Sequence, residues 1–546
     1  MSQAAVIEEK PKSVEEQLEA LFAPWNRSDA PGMAVGVAKD GDVIFRRGFG
    51  MASLESRVAI APTTRLRIGS TSKHFTALLA LLLQEDGKLD LDAPIRTYLP
   101  EVTGSAGEPS ARLLLQHRGG SRCHLDVGFL FRGLQTPPRG EGLRTLLRQT
   151  GRNFAPGEAM IYNNGGYHLV SLAIERAGGA SFEDQLKARL FDPLGMADTV
   201  SQPSDHLILP GMAAMHVPLP GGGWRRGLFP SEEVRGEGAI ISTIDDMLRW
   251  TAHLRRRDRF GTEETWRQLT ERPTYADGAR GGYALGLMFE DYRGLPTMHH
   301  AGGVVGGTSQ MLTFPEHGLD VVILVNGALG ANPVRLAEQV ADIVLADQLA
   351  PAPSKLEPKD YEALMGRWWS DATGLTYDFI DEAGEVKITL CGLPAGGGRL
   401  IDQGEGRFVS PPSSIGEIFI DARRAAEGEI EVRFGGVTAT HRKIEKATAL
   451  DETFARAVEG RYHSPDGGGE AEIRREADKL MVRFSDDHGG LEAELSPFAG
   501  VDAAGTTLMS PQAMHFTVLN FDREGEAAKG FRINSMRTRD LQFDRV

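Results

Sequence analysis

"GSTSKHFTALLALLL", residues 69–83, decides how the rest of the chain is read. Phe75, Leu78, Leu79 and Leu82 recur at the i, i+3, i+4, i+7 spacing of a helix with one buried face. Ser70 then falls at the amino end of that helix, and Lys73, three residues on, projects onto the same face within hydrogen-bonding range. Two roles fit this geometry. In one, Ser70 caps the helix and Lys73 is a solvated charge. In the other, Lys73, its pKa depressed by its surroundings, removes the proton of a nucleophilic Ser70, and the helix end turns N–H groups toward the oxyanion formed on attack. The Ser-x-x-Lys spacing alone is weak, because average residue usage yields about one or two matches in a chain this long. The chemical role also requires a second proton carrier elsewhere.

Two later segments offer one. In "FAPGEAMIYNNGGYHLVSLAIERAGG", residues 154–179, Tyr162, Asn163 and Asn164 occupy a Gly-rich turn just before another amphipathic pattern. Tyr162 can relay protons and Asn164 can bind an amide carbonyl, but Asn and Gly also gather in turns for backbone reasons, with the tyrosine merely buried. In "MHHAGGVVGGTSQMLTF", residues 298–314, His300 ends a short strand and is followed by Gly302, Gly303, Gly306 and Gly307, a backbone suited to close approach. A lone histidine is usually structural. Gly303, having no Cβ, lets a substrate lie flat along the strand edge and can offer its N–H as an oxyanion donor.

Outside these segments, "GMAVGVAKDGDVIFRRGFGMAS" from Gly32 joins two apolar runs through Asp40-Gly41, a tight hairpin dipeptide, and "QMLTFPEHGLDVVILVN" from Gln310 forms another hairpin around a Pro/Gly turn. Mostly helical patterns lie between, so an α+β domain, an antiparallel sheet with a separate helical region, is expected over residues 1–345. Pro351, Pro353 and Pro358 mark a linker at 346–360. Beyond it, "GRWWSDATGLTYDFIDEAGEVKITL" from Gly366 aligns without gaps on "GRYHSPDGGGEAEIRREADKLMVRF" from Gly460, 94 residues later. Two small antiparallel β-barrels are expected, at 361–446 and 447–546, since two copies are too few for a solenoid.

Composition excludes several classes. With 546 residues, 41% of them hydrophobic and 25% charged, the chain reads as an ordinary multidomain globular protein. A net charge of −15 with no basic cluster argues against a nucleic-acid partner. Cys123 and Cys391 are far apart and in no metal-ligand spacing, so neither a disulfide framework nor a zinc site is implied, and no metal or cofactor is expected. The first 18 residues are polar and acidic where a secretory signal needs positive charge and an apolar core. The longest apolar runs fall far short of the ~20 residues that cross a bilayer, so a cytoplasmic location without a membrane partner is expected.

Taken together, Ser70-Thr71-Ser72-Lys73, Tyr162-Asn163-Asn164 and His300-Ala301-Gly302, in this order, resemble the three motifs of the serine β-lactamase and penicillin-binding-protein superfamily. The similarity is to its class C-like branch, peptidase family S12, which includes D-aminopeptidases, D,D-carboxypeptidases and family VIII esterases. Histidine stands at position 300 where β-lactamases generally carry the lysine of their third motif. "LLLQHRGG", "LFDPLGMADT", "GAIISTIDDMLRW" and "GYALGLMF" support the resemblance, which covers about residues 30–330. The D-aminopeptidases are similar further on, because they append two lipocalin-like β-barrels and carry the same histidine form. The resemblance implies a β-lactamase/transpeptidase-like catalytic domain with Ser70 as the acylated nucleophile and Lys73 and Tyr162 exchanging its proton. Asn164 would hold the substrate carbonyl, His300 would polarise Tyr162 or the substrate, Gly302 and Gly303 would line the substrate edge, and the Ser70 and Gly303 N–H groups would form the oxyanion hole.

The chain departs from this pattern in two places. In D-aminopeptidases a loop of the last domain enters the site and meets the substrate's free amine with a carboxylate, whereas the matching text here, "TTLMSPQAMHFTVL" at 506–519, is shorter and has no acid. The usual His-Thr-Ser-Gly turn reads "HRGG" at His117–Gly120. The expected activity is acyl-enzyme hydrolysis of amide bonds in small peptides or amides beside a D-residue. Alternatives are a family VIII-type esterase and a peptidase for linearised D-residue-containing cyclic peptides such as linear microcystin. β-Lactamase or D,D-carboxypeptidase activity ranks lower because those substrates lie outside the cytoplasm, as does a non-catalytic binding protein. The expected partner is a small peptide, amide or ester substrate, and assembly as a homodimer is left open.

Overall fold

The Asp40-Gly41 hairpin forms as its sequence dictates. Strands β1 (Met33–Lys39) and β2 (Asp42–Phe49) meet at a turn in which Asp40 has φ 55° and Gly41 φ 99°, the left-handed region these residues tolerate. The computed structural model describes residues 12–546 except 277, 392, 395–398, 414–415, 435–436, 446–450, 499–500 and 511–512. The second expected hairpin joins β5 (Gly307–Phe314) to β6 (Leu319–Val325). With β3 (Met288–Tyr292) and β4 (Leu295–Val304) they make one antiparallel sheet of order β3-β4-β5-β6-β1-β2, closed by Met33 opposite Val325.

Both faces of this sheet are covered. Met33, Val35 and Val37 pack with Leu18 and Phe22 of α1 (Val14–Phe22) and with Leu336 and Val340 of α6 (Pro333–Val344). On the other face Ala34 and Ala38 join Ile244 and Leu248 of α5 (Ile244–Arg256) in a second core. A Cβ on Gly36 would stand 2.4 Å from the Ile244 side chain, so glycine is what lets α5 lie flush on the sheet.

That second core is built around α2 (Lys73–Glu85) and α4 (Asn164–Gly178). The expectation of a single buried face on α2 is corrected: every residue from Lys73 to Leu83 is buried. Ala77, Ala80, Leu81 and Leu83 leave no polar stripe, and such a helix belongs inside a protein. His74 is buried too, its ring 5.3 Å from that of Trp250; burial pushes its pKa down to about 3, so the neutral ring serves as aromatic filling.

The C-terminal repeat is real in three dimensions. Strands Gly366–Ser370, Leu375–Glu382 and Glu385–Leu390 recur 94 positions on, beginning at Gly460, Gly469 and Lys479. Equivalent aromatics lock each copy: Trp368 Nε1 donates to Leu364 O at 2.8 Å and Tyr462 Oη to Val458 O at 2.7 Å. The first copy opens a nine-stranded curled sheet whose first strand pairs with its last, Val437–Ile444, and whose edges are Leu393–Pro394 and Ile401–Gly404 among the described residues. The second opens a closed eight-stranded barrel, sealed where Tyr462 pairs with Arg545.

The barrel does not hang free. Helix α3 (His124–Arg132) buries Val127, Leu130 and Phe131 in the barrel's own core, with Phe131 5.9 Å from Phe543 ring to ring. Among the described residues no helix is long and apolar enough to cross a membrane.

Candidate active site

The 3-10 turn Gly69–Ser72 delivers Ser70 to the start of α2. Gly69 has φ 52°, and a Cβ there would lie 2.8 Å from Gly303 N, so the turn is pressed against β4. Neither the turn nor α2 has a side-chain cap, which removes the capping role considered for Ser70. Lys73 Nζ lies 3.0 Å from Ser70 Oγ, 2.8 Å from Asn164 Oδ1 and 2.6 Å from the Glu237 carbonyl oxygen. Two of these three contacts are acceptors only. A neutral amine has two N–H bonds, which those acceptors take, leaving its lone pair for the Ser70 O–H.

Lys73 is wholly buried, and burial pushes its pKa down from 10.5 to about 7, against the pull of the Glu237 charge and with help from Arg537. The free base is therefore abundant near neutral pH. Tyr162 and Tyr167 present their rings to Nζ at 4.8 and 5.3 Å from the centroids. Burial raises the Tyr162 pKa, Ser70 beside it partly offsetting the rise, so the phenol stays protonated. Its hydroxyl is buried without a hydrogen bond of ordinary geometry.

Asn163 caps α4, accepting from Gly165 N–H at 2.7 Å, and its own N–H donates to His117 Nδ1 at 3.0 Å. This gives the unusual "HRGG" turn a purpose. His117, at φ 59°, braces the Tyr162–Asn164 segment with its ring 4.1 Å from that of Tyr162. Asn164 Oδ1 is committed to Lys73, which turns the Asn164 amide N–H2 toward the cavity, where it can donate to a carbonyl.

Strand β4 forms the opposite wall. Its pairing with β3 stops at His299, so among the described residues Ala301–Val304 pair with no strand on the side away from β5. The Thr71 hydroxyl donates to His300 O at 3.0 Å and the Ser309 hydroxyl to Ile68 O at 2.7 Å, tying this edge to the nucleophile turn. The two glycines differ. A Cβ on Gly302 would fall 2.0 Å from Ile68 O, so Gly302 permits close packing, whereas one on Gly303 would meet nothing within 4 Å. Gly303 is thus the residue of the pair that faces open space beside Ser70. His300 is wholly buried; its Nδ1 faces Ala301 O at 2.6 Å and its Nε2 accepts from Tyr283 Oη at 3.0 Å. The expectation that His300 polarises Tyr162 or the substrate is therefore corrected: both ring nitrogens are occupied, the rings of His300 and Tyr162 are 6.3 Å apart, and Tyr283 intervenes as partner.

These groups surround a cavity of about 280 Å³ lined by Ser70, Tyr162, Asn164, Glu237, Gly303 and Arg537, with Leu125 and Phe129 of α3 as apolar wall. Sequence reasoning missed several of them. Glu237 supplies a main-chain carbonyl, which no side-chain pattern betrays. Its carboxylate faces His168 Nδ1 at 3.4 Å; burial opposes both charges, but the pairing outweighs it, raising the histidine pKa and lowering that of the acid. With His124 these two bring ligand-type atoms within 4.8 Å of one another, the one such grouping among the described residues.

Arg537 is the other omission. Residues 511–512 of the last-domain segment 506–519 lie outside the described residues, as do the side chains of 506–516. A different connection, between the strands Ala527–Ser535 and Leu541–Arg545, brings Arg537 over the Tyr162 ring, 5.0 Å from its centroid.

Residues 11–345 match the Beta-lactamase family. The chain is 30% identical over 370 residues to a D-aminopeptidase of Brucella anthropi, covering 66% of this chain and 67% of that one. It is 26% identical over 554 residues to a D-aminopeptidase of Gluconobacter oxydans, covering 96% and 98%. Among solved structures, the octameric penicillin-binding protein homologue from Pyrococcus abyssi matches at TM-score 0.54 and 19% identity over 97% of this chain and 99% of that one. D-Amino acid amidase from Ochrobactrum anthropi SV3 matches at TM-score 0.51 and 22% identity over 60% and 97%. These two likenesses are of fold.

Proposed function

The chain belongs to the beta-lactamase family, and from that premise we propose that it is a serine hydrolase cleaving amide bonds of small peptides or amides, beside a D-residue, through an acyl-enzyme. The observation that carries this reading is the contact of a buried lysine, titrating near neutrality, with a serine hydroxyl 3.0 Å away.

Ser70 Oγ attacks the scissile carbonyl while its proton passes to the Lys73 lone pair. The oxyanion is received by the Gly303 N–H on the open strand edge and by the Ser70 N–H, which as an early donor of its turn has no intrahelical partner. Asn164 holds the carbonyl on the acyl side. The proton on Lys73 then moves through Tyr162, kept neutral by burial, to the leaving nitrogen, the C–N bond breaks and the amine departs. Water attacks the ester by the reverse relay and releases the acid, so one amide and one water give one acid and one amine.

The D-residue preference rests on the two relatives named D-aminopeptidase. The test compares hydrolysis of D- and L-alanine p-nitroanilides by wild type and Ser70→Ala, with intact-mass detection of a fluorophosphonate adduct on Ser70. Turnover of the D-anilide, loss of turnover and adduct in Ser70→Ala, and an unchanged circular dichroism spectrum are expected. Unlabelled wild-type protein would refute the reading.

A further inference from the structure

We propose that Arg537 anchors a carboxylate of the substrate, so that this site prefers anionic peptides, amides or esters to substrates that present only a free ammonium. The inference rests on the acyl-enzyme reading above and names the substrate class for it.

The charges facing the cavity leave Arg537 as its available cation. Arg67 is buried against Asp205, the two side chains 2% and 5% exposed, in a close ion pair. Glu237 turns its carboxylate to His168. Lys73 is held by Asn164 and Glu237 and serves Ser70. Arg537, by contrast, is poorly satisfied. Its Nε is buried without a hydrogen-bond partner, and its ion-pair contact, Asp126, stands 3.7 Å from Nη1, beyond hydrogen-bond range. Both Asp126 carboxylate oxygens also lack hydrogen-bond partners, so the pair is ionic contact without the two-pronged geometry that guanidinium and carboxylate prefer. A guanidinium left in this state at a cavity wall is prepared for a planar anion that engages its donors side by side.

The backbone beneath it is fixed in advance. Asn153 Nδ2 donates to Arg537 O at 2.9 Å while Asn153 Oδ1 accepts from Arg539 N–H at 2.8 Å. Arg122 donates to Arg539 O at 2.8 Å and to Asp540 O at 2.7 Å, and a third arm reaches Asp466 at 2.8 Å. Four hydrogen bonds thus clamp the 537–540 connection onto the catalytic part, and a side chain presented from so rigid a mount positions a ligand without ordering cost. Asp126, the carboxylate beside Arg537, has a side chain only 4% exposed and is not among the residues that line the cavity, so it is poorly placed to receive a substrate ammonium.

The test uses the full-length protein with matched substrates. N-Succinyl- against N-acetyl- and unacylated D-alanine p-nitroanilide places the carboxylate on the acyl side, and N-acetyl-D-alanyl-glycine against N-acetyl-D-alanyl-glycinamide places it on the leaving side. In wild type, kcat/KM for the carboxylate member of one series should exceed its neutral partner by about 10- to 100-fold, as expected of a charge-assisted hydrogen bond. The ratio should collapse toward one in Arg537→Gln and recover in part in Arg537→Lys. Ratios are taken within each variant, so any change in Lys73 cancels. Preference for the unacylated anilide, or an unchanged ratio in Arg537→Gln, overturns the proposal. Fluorophosphonate labelling of Ser70 separates the two ideas: labelling without carboxylate preference removes the anchor alone, whereas an unreactive Ser70 removes the acyl-enzyme and the anchor with it.

Discussion

The free-base population of Lys73 is the quantity on which reactivity turns, and it can be moved in both directions. A lysine titrating at about 7 is about 90% neutral at pH 8, against about 0.3% at its ordinary 10.5, a gain of ~300-fold in the form that can accept the Ser70 proton. The sign follows from the charge: the pKa is depressed, the competent form is the neutral one, and reactivity is lost as pH falls through about 7, tenfold per unit below it. Glu237 pulls this pKa up and Arg537 pushes it down. Glu237→Gln should therefore move the acid limb to lower pH and Arg537→Gln to higher pH. The assay is the second-order rate of Ser70 labelling by an uncharged fluorophosphonate between pH 5 and 10, which removes substrate ionisation from the profile. A wild-type limb near 9 or 10, or two variants displaced in the same direction, would refute the account of how the base is made.

Three further outcomes are expected. Tyr162→Phe should lower amide turnover by ~10²- to 10⁴-fold while sparing p-nitrophenyl esters far more, because nitrophenolate leaves without a proton; an equal loss on both would deny Tyr162 the relay. Gly302→Ala, whose Cβ would sit 2.0 Å from Ile68 O, should destabilise by about 3 kcal/mol or more, whereas Gly303→Ala, facing open space, should melt like wild type and show its effect in KM. Arg122→Ala removes three charge-assisted contacts from a side chain only 4% exposed, and should cost about 3 kcal/mol, read as a lower unfolding midpoint and faster hydrogen exchange across 535–540; unchanged exchange would mean that the barrel is held without this clamp.

What could be read from sequence was whatever one short segment encodes. The approach of Lys73 to Ser70 is a property of one helical turn. Asp40-Gly41 specifies its hairpin through φ alone, and the repeat from Gly366 to Gly460 shows in its spacing. Tyr162 and Asn164 were identified by resemblance, and the structure brings them to the same cavity as Ser70. Tyr283 lay inside "GYALGLMF", which had family likeness but no stated role, and only the fold places its hydroxyl on His300. Glu237 could not be seen, since any residue has a carbonyl and only the path of the chain decides where it points.

Arg537 was hidden for a different reason, and α3 explains it. The contacts that Arg122 and Asn153 make with its connection, 537–540, join positions more than 380 residues apart, a pairing set by the docking of one domain on another. The docking surface was nevertheless written into "HLDVGFLFR", residues 124–132, where Leu125, Val127, Phe129, Leu130 and Phe131 leave no continuous polar face. An amphipathic helix on a single core needs one apolar stripe, so a helix apolar on several sides demands two partners. Leu125 and Phe129 line the cavity while Val127, Leu130 and Phe131 enter the barrel core. One nine-residue helix therefore couples barrel to pocket, and the connection that carries Arg537 is held at the cavity because the barrel can seat on α3 only where α3 already forms the wall.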